Sequence, residues 1–292
     1  MTIADQFPDI VKRGEPLAPY THLRIGGPAE YFIQPRTVSE LADVLRQCKT
    51  NRVPVRMLGG GYNLLVRDEP VPGAVVRLHG AAFASIEREG RTIRAAGGAQ
   101  LFDLLAFAVR EGLGGLETLV GIRGTVGGSV RCNVGDRTGE IGSAVRRVAV
   151  LTDDGKQELR SRDELNFSDH SSDLVEPVIL WVEFDLEPND PEVLLRRMRK
   201  AWVQRQAGEP HSFQAGVRMF RNPAGGTASS LIERAGLAKH RCGGAEVSER
   251  NGNYAIVHPG TTAADVLGLI ESVRKTVRER TGLVLERELN VW

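Results

Sequence analysis

The stretch Leu119 to Gly135, LVGIRGTVGGSVRCNVG, restricts this chain more than any other, because Gly121, Gly124, Gly127, Gly128 and Gly135 leave it little side chain to bury. A segment of that kind is not an ordinary core element. Glycines this dense let the backbone adopt φ > 0 and approach a ligand closely, with free N–H groups turned toward anionic oxygens such as those of a pyrophosphate. The same composition also suits a tight loop packed on another backbone. A second stretch, Met57 to Val66 (MLGGGYNLLV), favours the ligand: an apolar run leads into Gly59, Gly60 and Gly61 and then Asn63. Upstream, Thr21 to Ala29 (THLRIGGPA) carries Arg24 and the pair Gly26 and Gly27. None of the three has the G-x-G-x-x-G or G-x-x-x-x-G-K-[ST] form, which argues against a Rossmann fingerprint and a P-loop.

At 292 residues the chain is long enough for two domains or for one with a divided core. A net charge of +1 gives no overall attraction to nucleic acid or to an anionic membrane, although individual arginines can bind phosphates. Cys48, Cys132 and Cys242 are too scattered for a disulfide framework or a C-x-x-C metal site, and no metal is expected. They read as inert thiols in a reducing compartment. The first residues, MTIADQFPDIVKRG, lack the apolar centre of a signal peptide, and no run is long and apolar enough to span a bilayer. A cytoplasmic protein is expected, as a monomer or small homo-oligomer.

Local patterns place the glycine loops. Tyr31 to Ile33 reads as a strand, and Val38, Leu41, Val44, Leu45 and Cys48 share a helical face behind a Thr37 or Ser39 cap. Val53 to Leu58 returns as a strand into Gly59 to Gly61, and such a loop after a β-α-β unit is where α/β proteins tend to receive anionic ligands. Short β-like runs follow at 75–78, 84–87 and 92–95, then a helix through Leu101, Leu104, Leu105, Ala108 and Val109 that stops at Gly112. A hairpin turns at Asp153-Asp154-Gly155, and Val178 to Leu186 is a strand. Asp190 and Pro191 open a helix to about Gln204, residues 206–226 read as loop, and a short helix spans Ala228 to Ala235. A longer helix runs from a Thr262 cap through Val266, Leu269, Ile270, Val273 and Val277 to Gly282. The break at Glu187 to Pro191 sets a domain boundary near residue 190.

The ordered set THLRIGGPA, LGGGYNLLV, GIRGTVGGSVRCNVG, FRNP with LIERAGL, and LEREL resembles the UDP-N-acetylenolpyruvylglucosamine reductase family, flavoenzymes of peptidoglycan synthesis, over nearly the whole chain. The resemblance implies an α+β fold: a two-lobed FAD-binding domain of the vanillyl-alcohol-oxidase type over residues 1–189, with lobes roughly 1–78 and 79–189, and a smaller α/β substrate domain over 190–292. It implies FAD as cofactor, NADPH as reductant and a UDP-sugar as substrate, with no nucleic acid or membrane partner. By position, Gly59, Gly60, Gly61, Tyr62, Asn63 and Leu64, with Gly121, Gly124, Thr125, Gly127, Gly128 and Asn133, map onto the flavin cradle. Arg221, Asn222 and Asn253 map onto diphosphate, ring or pyruvyl contacts.

The chain departs from the family at chemical positions. Tyr62 stands for a small Ser, Arg123 for the Pro of G-I-P-G-T, and Asp136 for a small apolar residue, while Asn251 replaces a His. A carboxylate at 136 would repel a phosphate and Arg123 would attract one. The family's chemistry needs a proton donor and partners for developing enolate charge. The donor Ser or Cys falls on Val217 or Arg218 in AGVRMFRNP, and the Arg of Y-R-x-S falls on His170, a residue equally suited to a solvated loop. Only Glu288 stands where the family's third catalytic residue is expected, its other reading being a surface carboxylate. Catalytic candidates are therefore Glu288, His170 and Arg218. The implied function is an FAD-dependent reductase with reduced or altered activity, the alternative being a non-catalytic homologue that keeps the fold and nucleotide or partner binding.

Overall fold

A computed structural model describes residues 2–136, 138–210 and 215–292. Contacts divide the chain into two compact units, Met1–Glu15, Ala29–Gly60 and Pro72–Arg205 against Pro16–Pro28, Gly61–Val71 and Gln206–Trp292.

The first unit holds two sheets. The strands β1 (Val11–Pro16), β2 (Pro28–Ile33), β3 (Val55–Met57) and β4 (Val71–Val76) line up in the order β1-β2-β4-β3, with β3 and β4 parallel. Between β2 and β3 runs α1 (Val38–Thr50), which starts where Thr37 Oγ1 accepts the Glu40 N–H at 3.1 Å. Leu41, Val44, Leu45 and Cys48 of α1 are buried on one core cluster with Ile33, Ala74 and Val76. Burial pushes the Cys48 thiol up to about 11, so it stays protonated and unreactive.

The second sheet is antiparallel, built from β5 (Ile86–Glu89), β6 (Thr92–Ala96), β7 (Val145–Leu151), β8 (Gln157–Ser161) and β9 (Val178–Asp185) in the order β8-β7-β9-β6-β5. Against it pack α2 (Leu101–Arg110) and α3 (Val126–Arg131), burying Leu101, Leu104, Val126 and Val130 with Val148, Val182 and Phe184. A side chain as large as Phe184, fully buried, typically costs about 3–5 kcal/mol when cut to Ala.

The expected boundary near 190 marks a helix start rather than the edge of a unit. In α4 (Pro191–Gly208), Asp190 Oδ1 caps the Glu192 N–H at 2.8 Å, Met198 and Ala201 pack on the core of the antiparallel sheet, and Leu194 is fully buried against Gly114. The helix therefore stays with the first unit through Arg205. A continuous lobe over 1–78 also fails, since 16–28 and 61–71 leave the first unit and give Leu23, Ile25 and Leu65 to the core of the second.

The second unit has β10 (Gly216–Arg218), α5 (Ala228–Arg234), β11 (Arg241–Cys242), β12 (Ala245–Val247), β13 (Tyr254–Val257) and α6 (Ala263–Thr281), with the antiparallel sheet order β10-β13-β12-β11. A reciprocal Thr262–Asp265 capping box opens α6 and Gly282, at φ +74, closes it. Its Val266, Leu269, Ile270, Val273 and Val277 form the core face. The pair Leu64–Leu65 lies parallel to β14 (Asn290–Val291). The expected loop over 206–226 is in part helix and in part strand: α4 reaches Gly208 and β10 occupies 216–218, while residues 211–214 lie outside the described residues. Among the described residues no helix is long and apolar enough to cross a membrane.

Candidate functional site

In the first unit a cavity of about 100 Å³ opens between the end of β3, the α3 turn and the start of β9. Backbone forms much of its wall: Gly59 after β3, Gly97 and Gly98 after β6, and Gly127 and Gly128 in the first turn of α3. Added methyls show how close these chains run. A Cβ on Gly97 would sit 2.0 Å from the Ile179 carbonyl oxygen, one on Gly127 3.0 Å from the Gly97 oxygen, and one on Gly59 3.0 Å from Thr125 Oγ1. Thr125 is the N-cap of α3, its hydroxyl accepting the Gly128 N–H at 3.4 Å. Apolar walls come from Met57, Leu78 and Ile179. Arg131 is the sole charged lining residue; burial lowers its guanidinium, which donates to the carbonyls of Leu174 and Glu176 at 2.6 and 2.5 Å.

Four of the expected flavin residues, Gly59, Thr125, Gly127 and Gly128, thus meet in one wall. Within the first unit, Gly60, Gly121, Gly124 and Asn133 do not line it. Gly121, at φ +87, is covered by the Arg205 side chain, which donates to Val120 O at 2.9 Å and Thr118 O at 3.2 Å. Gly124 uses φ +150 to turn the chain into α3. Asn133 is 1% exposed and structural: its amide nitrogen donates to Glu140 Oε2 and Ser168 O at 2.7 and 2.9 Å, and its oxygen accepts the Gly142 N–H at 3.0 Å. Gly60 ends the first unit, and Gly61, Tyr62, Asn63 and Leu64 belong to the second. There Gly61 lies so near Tyr20 that a Cβ would be 2.4 Å from its carbonyl oxygen, and Leu64 is buried opposite Asn290.

Two of the unusual side chains are tied down locally. Tyr62 packs its ring against His22, centroids 5.1 Å apart. Asp136 accepts from Arg205 at 2.9 Å and from the Thr138 N–H at 2.9 Å. Burial raises the Asp136 carboxyl, but the Thr138 hydrogen bonds and the Arg205 charge more than offset this, and the net shift is downward. The expected repulsion of a phosphate is thereby neutralised by Arg205. Arg123 is exposed.

In the second unit the alternation of β10 separates the two candidates for the missing donor. Val217 is 3% exposed and points into the core, whereas Arg218 takes the other face. Its Nε lies 3.3 Å from Glu288 Oε2. The angle is poor, and among the described residues that buried oxygen accepts no hydrogen bond. Glu288 is fixed through its backbone, its N–H donating to Met219 O at 2.9 Å and its carbonyl accepting from Asn63 Nδ2 at 3.3 Å. It is no loose surface carboxylate.

Asn253 is a clamp rather than a ligand contact. It is 2% exposed, and its side chain grips the Phe220 backbone on both sides, accepting at 3.0 Å and donating at 2.7 Å. Asn222 likewise caps α5 by accepting the Ala228 N–H at 3.0 Å. Arg221 is held by its backbone at Glu286 and leaves its guanidinium exposed. Asn251 donates to Gly208 O at 2.6 Å. His170 is in the first unit, at φ +52 in the turn between the short strands Phe167–Ser168 and Ser171–Ser172, 3.8 Å from Asp169. His170 itself does not line the cavity, although Ser172, two residues on, donates its hydroxyl to Arg131 O at 2.9 Å.

Comparison with known proteins decides the family. Residues 209–292 match the C-terminal domain of UDP-N-acetylenolpyruvoylglucosamine reductase, and residues 29–159 match an FAD binding domain. A reductase of that name from Symbiobacterium thermophilum, numbered 2, is 39% identical over 98% of this chain and 93% of its own length. The chain belongs to the UDP-N-acetylenolpyruvoylglucosamine reductase family. A relative from Listeria innocua is 35% identical over 98% of this chain and 96% of its own. The crystal structure of the reductase from Thermus caldophilus superposes with a TM-score of 0.83 at 37% identity, covering 97% of this chain and 98% of that one. The fold is accordingly a two-lobed FAD-binding domain with a smaller substrate domain, and FAD is its cofactor.

The cavity suits that cofactor. Glycines 59 and 128 leave the space that a Cβ would fill, no carboxylate lines the wall, and one half-buried arginine supplies positive potential. About 100 Å³ takes one segment of the dinucleotide, not its whole length. Gly97, Gly98 and Arg131 were missed in the sequence; the one signal for the glycines was their place directly after a strand, in Ala95-Ala96-Gly97-Gly98.

Proposed function

We propose that this chain reduces the enolpyruvyl ether of a UDP-N-acetylglucosamine to the lactyl ether, with NADPH as reductant and FAD as carrier, and that proton delivery makes it slow. The observation that carries the reading is the Arg218–Glu288 pair beside the Phe220–Pro223 segment. FAD, when bound, supplies the hydride to the double bond. The protein must then meet negative charge that grows on the carbon next to the substrate carboxylate. Arg218 offers a fixed positive charge for that enolate. It keeps its own proton at any working pH, so it stabilises without protonating. Glu288 Oε2 is buried beside the Arg218 guanidinium but accepts no hydrogen bond among the described residues, a state that costs about 1–3 kcal/mol unless substrate or water satisfies it. We assign the proton to be delivered to that oxygen. Arg221, exposed on the same segment, fits a substrate diphosphate bidentately.

The competing reading, a non-catalytic homologue, draws on the side chains at 217 and 218, neither of which is a Ser or Cys. Anaerobic stopped-flow separates the two. Protein reduced with NADPH is mixed with the enolpyruvyl UDP-sugar while flavin absorbance is followed. The expected result is reoxidation with formation of UDP-N-acetylmuramate, slowed by about 10²–10⁴-fold relative to a family member with the Ser donor. Flavin that stays reduced indefinitely would support the non-catalytic reading. Prompt reoxidation that survives both Arg218→Met and Glu288→Gln would remove these residues from the chemistry.

A further inference from the structure

The outward side of α4 carries charge and apolar area that nothing in the first unit covers. Leu194, Met198, Ala201 and Arg205 are the packed side of this helix. Leu195 and Trp202, seven residues apart, lie almost in line along its flank and are 43% and 49% exposed, and Val203 is 60% exposed. Arg196, Arg199 and Lys200 are exposed around them. The helix has a single acid, Glu192, and it faces Arg196 at 3.9 Å. A chain of net charge +1 thus concentrates cations on one helix face interleaved with an indole and two aliphatic side chains.

We propose that this face docks the protein reversibly on an anionic phospholipid surface. Cations on a helix lying in the interface plane are drawn to anionic headgroups, and Trp is the side chain best suited to headgroup depth. The stems of Arg and Lys add apolar contact while their charges stay in water. Because the other side of α4 is committed to the core, only Leu195, Trp202 and Val203 are available to enter the lipid, so binding is shallow and depends on charge. An acidic polypeptide or a nucleic acid would satisfy the charges as well. Neither calls for three exposed apolar side chains interleaved with the cations on one helix, which a planar lipid surface accommodates.

The test uses the full FAD-loaded chain and vesicles of phosphatidylglycerol mixed with phosphatidylcholine, against vesicles of phosphatidylcholine alone. Co-sedimentation with the anionic vesicles only is expected, with a blue shift of tryptophan emission that Trp202→Phe removes. Arg196→Gln, Arg199→Gln and Lys200→Gln together should weaken partitioning on the order of 100-fold, since each cation is worth roughly five-fold at such a surface. The triple variant should keep its melting temperature and its NADPH oxidation rate, which shows that it is folded. Equal partitioning onto neutral vesicles, or undiminished partitioning of the triple variant, would overturn the proposal. So would retention on polyglutamate or DNA with no binding to anionic vesicles at low salt.

Discussion

The cavity of the first unit and the Arg218–Glu288 site of the second are built from different material. Backbone makes the cavity: five glycines and a threonine cap define it, and Arg205, which covers the nearby Gly121, pairs with Asp136. Side chains make the second site, where a single guanidinium and a single carboxylate stand 3.3 Å apart. A backbone cradle survives exchange of its neighbours as long as the glycines remain and new charges find partners. A side-chain site has no such tolerance, because the acid that donates and the cation that attracts cannot stand in for one another. On the reading proposed above, this is how one chain keeps an FAD-binding fold while Arg218 takes the place of a proton donor.

The sharpest way to break the comparison is at Glu288. Glu288→Gln should lower substrate-dependent flavin reoxidation by about 10²–10⁴-fold, with flavin content and reduction by NADPH unchanged. Equal loss of flavin content would show that the second site also serves the cofactor. Next in size is Gly128→Leu, which fills the cavity from a helical position where an added Cβ meets only Thr125 Oγ1, at 3.3 Å. Flavin affinity, read by fluorescence titration, should fall about 10–100-fold while the melting temperature moves little. Gly127→Val is a poorer probe, since its side chain would press on the Gly97 backbone and unsettle the fold as well.

Smaller still is Asp136→Asn. The folded Asp136 titrates below its unfolded value, so its contribution is present above the unfolded value of about 4 and is lost as pH falls through the folded one. With the carboxylate half exposed, that contribution is at most about 1 kcal/mol. Melting curves taken from pH 6 downward should show the two proteins converging below about pH 4, the wild type losing its advantage. A gap that stays constant with pH would mean that the charge does nothing. The smallest effect is expected from Tyr62→Ser, which removes one tilted aromatic contact worth about 0.5–1.5 kcal/mol and should leave flavin affinity nearly as it was.

Much of this was written locally in the sequence. The α6 helix could be bounded to the residue, because Thr262, Asp265 and Gly282 act within a few positions of their own ends. The glycine loops announced a ligand because only a close backbone approach explains so many of them. What escaped reading depends on distant partners. β10 is three residues long and exists because Tyr254–Val257, nearly forty residues on, pairs with it. Asn133 and Asn253 look like ligand contacts from their motifs, yet both amides are saturated by backbone and side chains that no local pattern could have named. At residue 190 the sequence shows where α4 starts, but not that Met198 and Ala201 hold the helix on the core of the first unit.

The pairing of β14 with Leu64–Leu65 bears on how such a protein can be inherited. Trp292 and Leu65, and Arg67 and Trp292, are joined by further backbone hydrogen bonds at 3.0 and 2.9 Å, so the last strand of the second unit rests on a segment contributed more than two hundred positions earlier. A recombination event that moved residues 209–292 as a block would leave that strand without its partner and the Glu288 backbone without the Asn63 contact that steadies it. The two halves of this chain are therefore expected to share one ancestry and to diversify together, by point substitution, and not to circulate as separable modules.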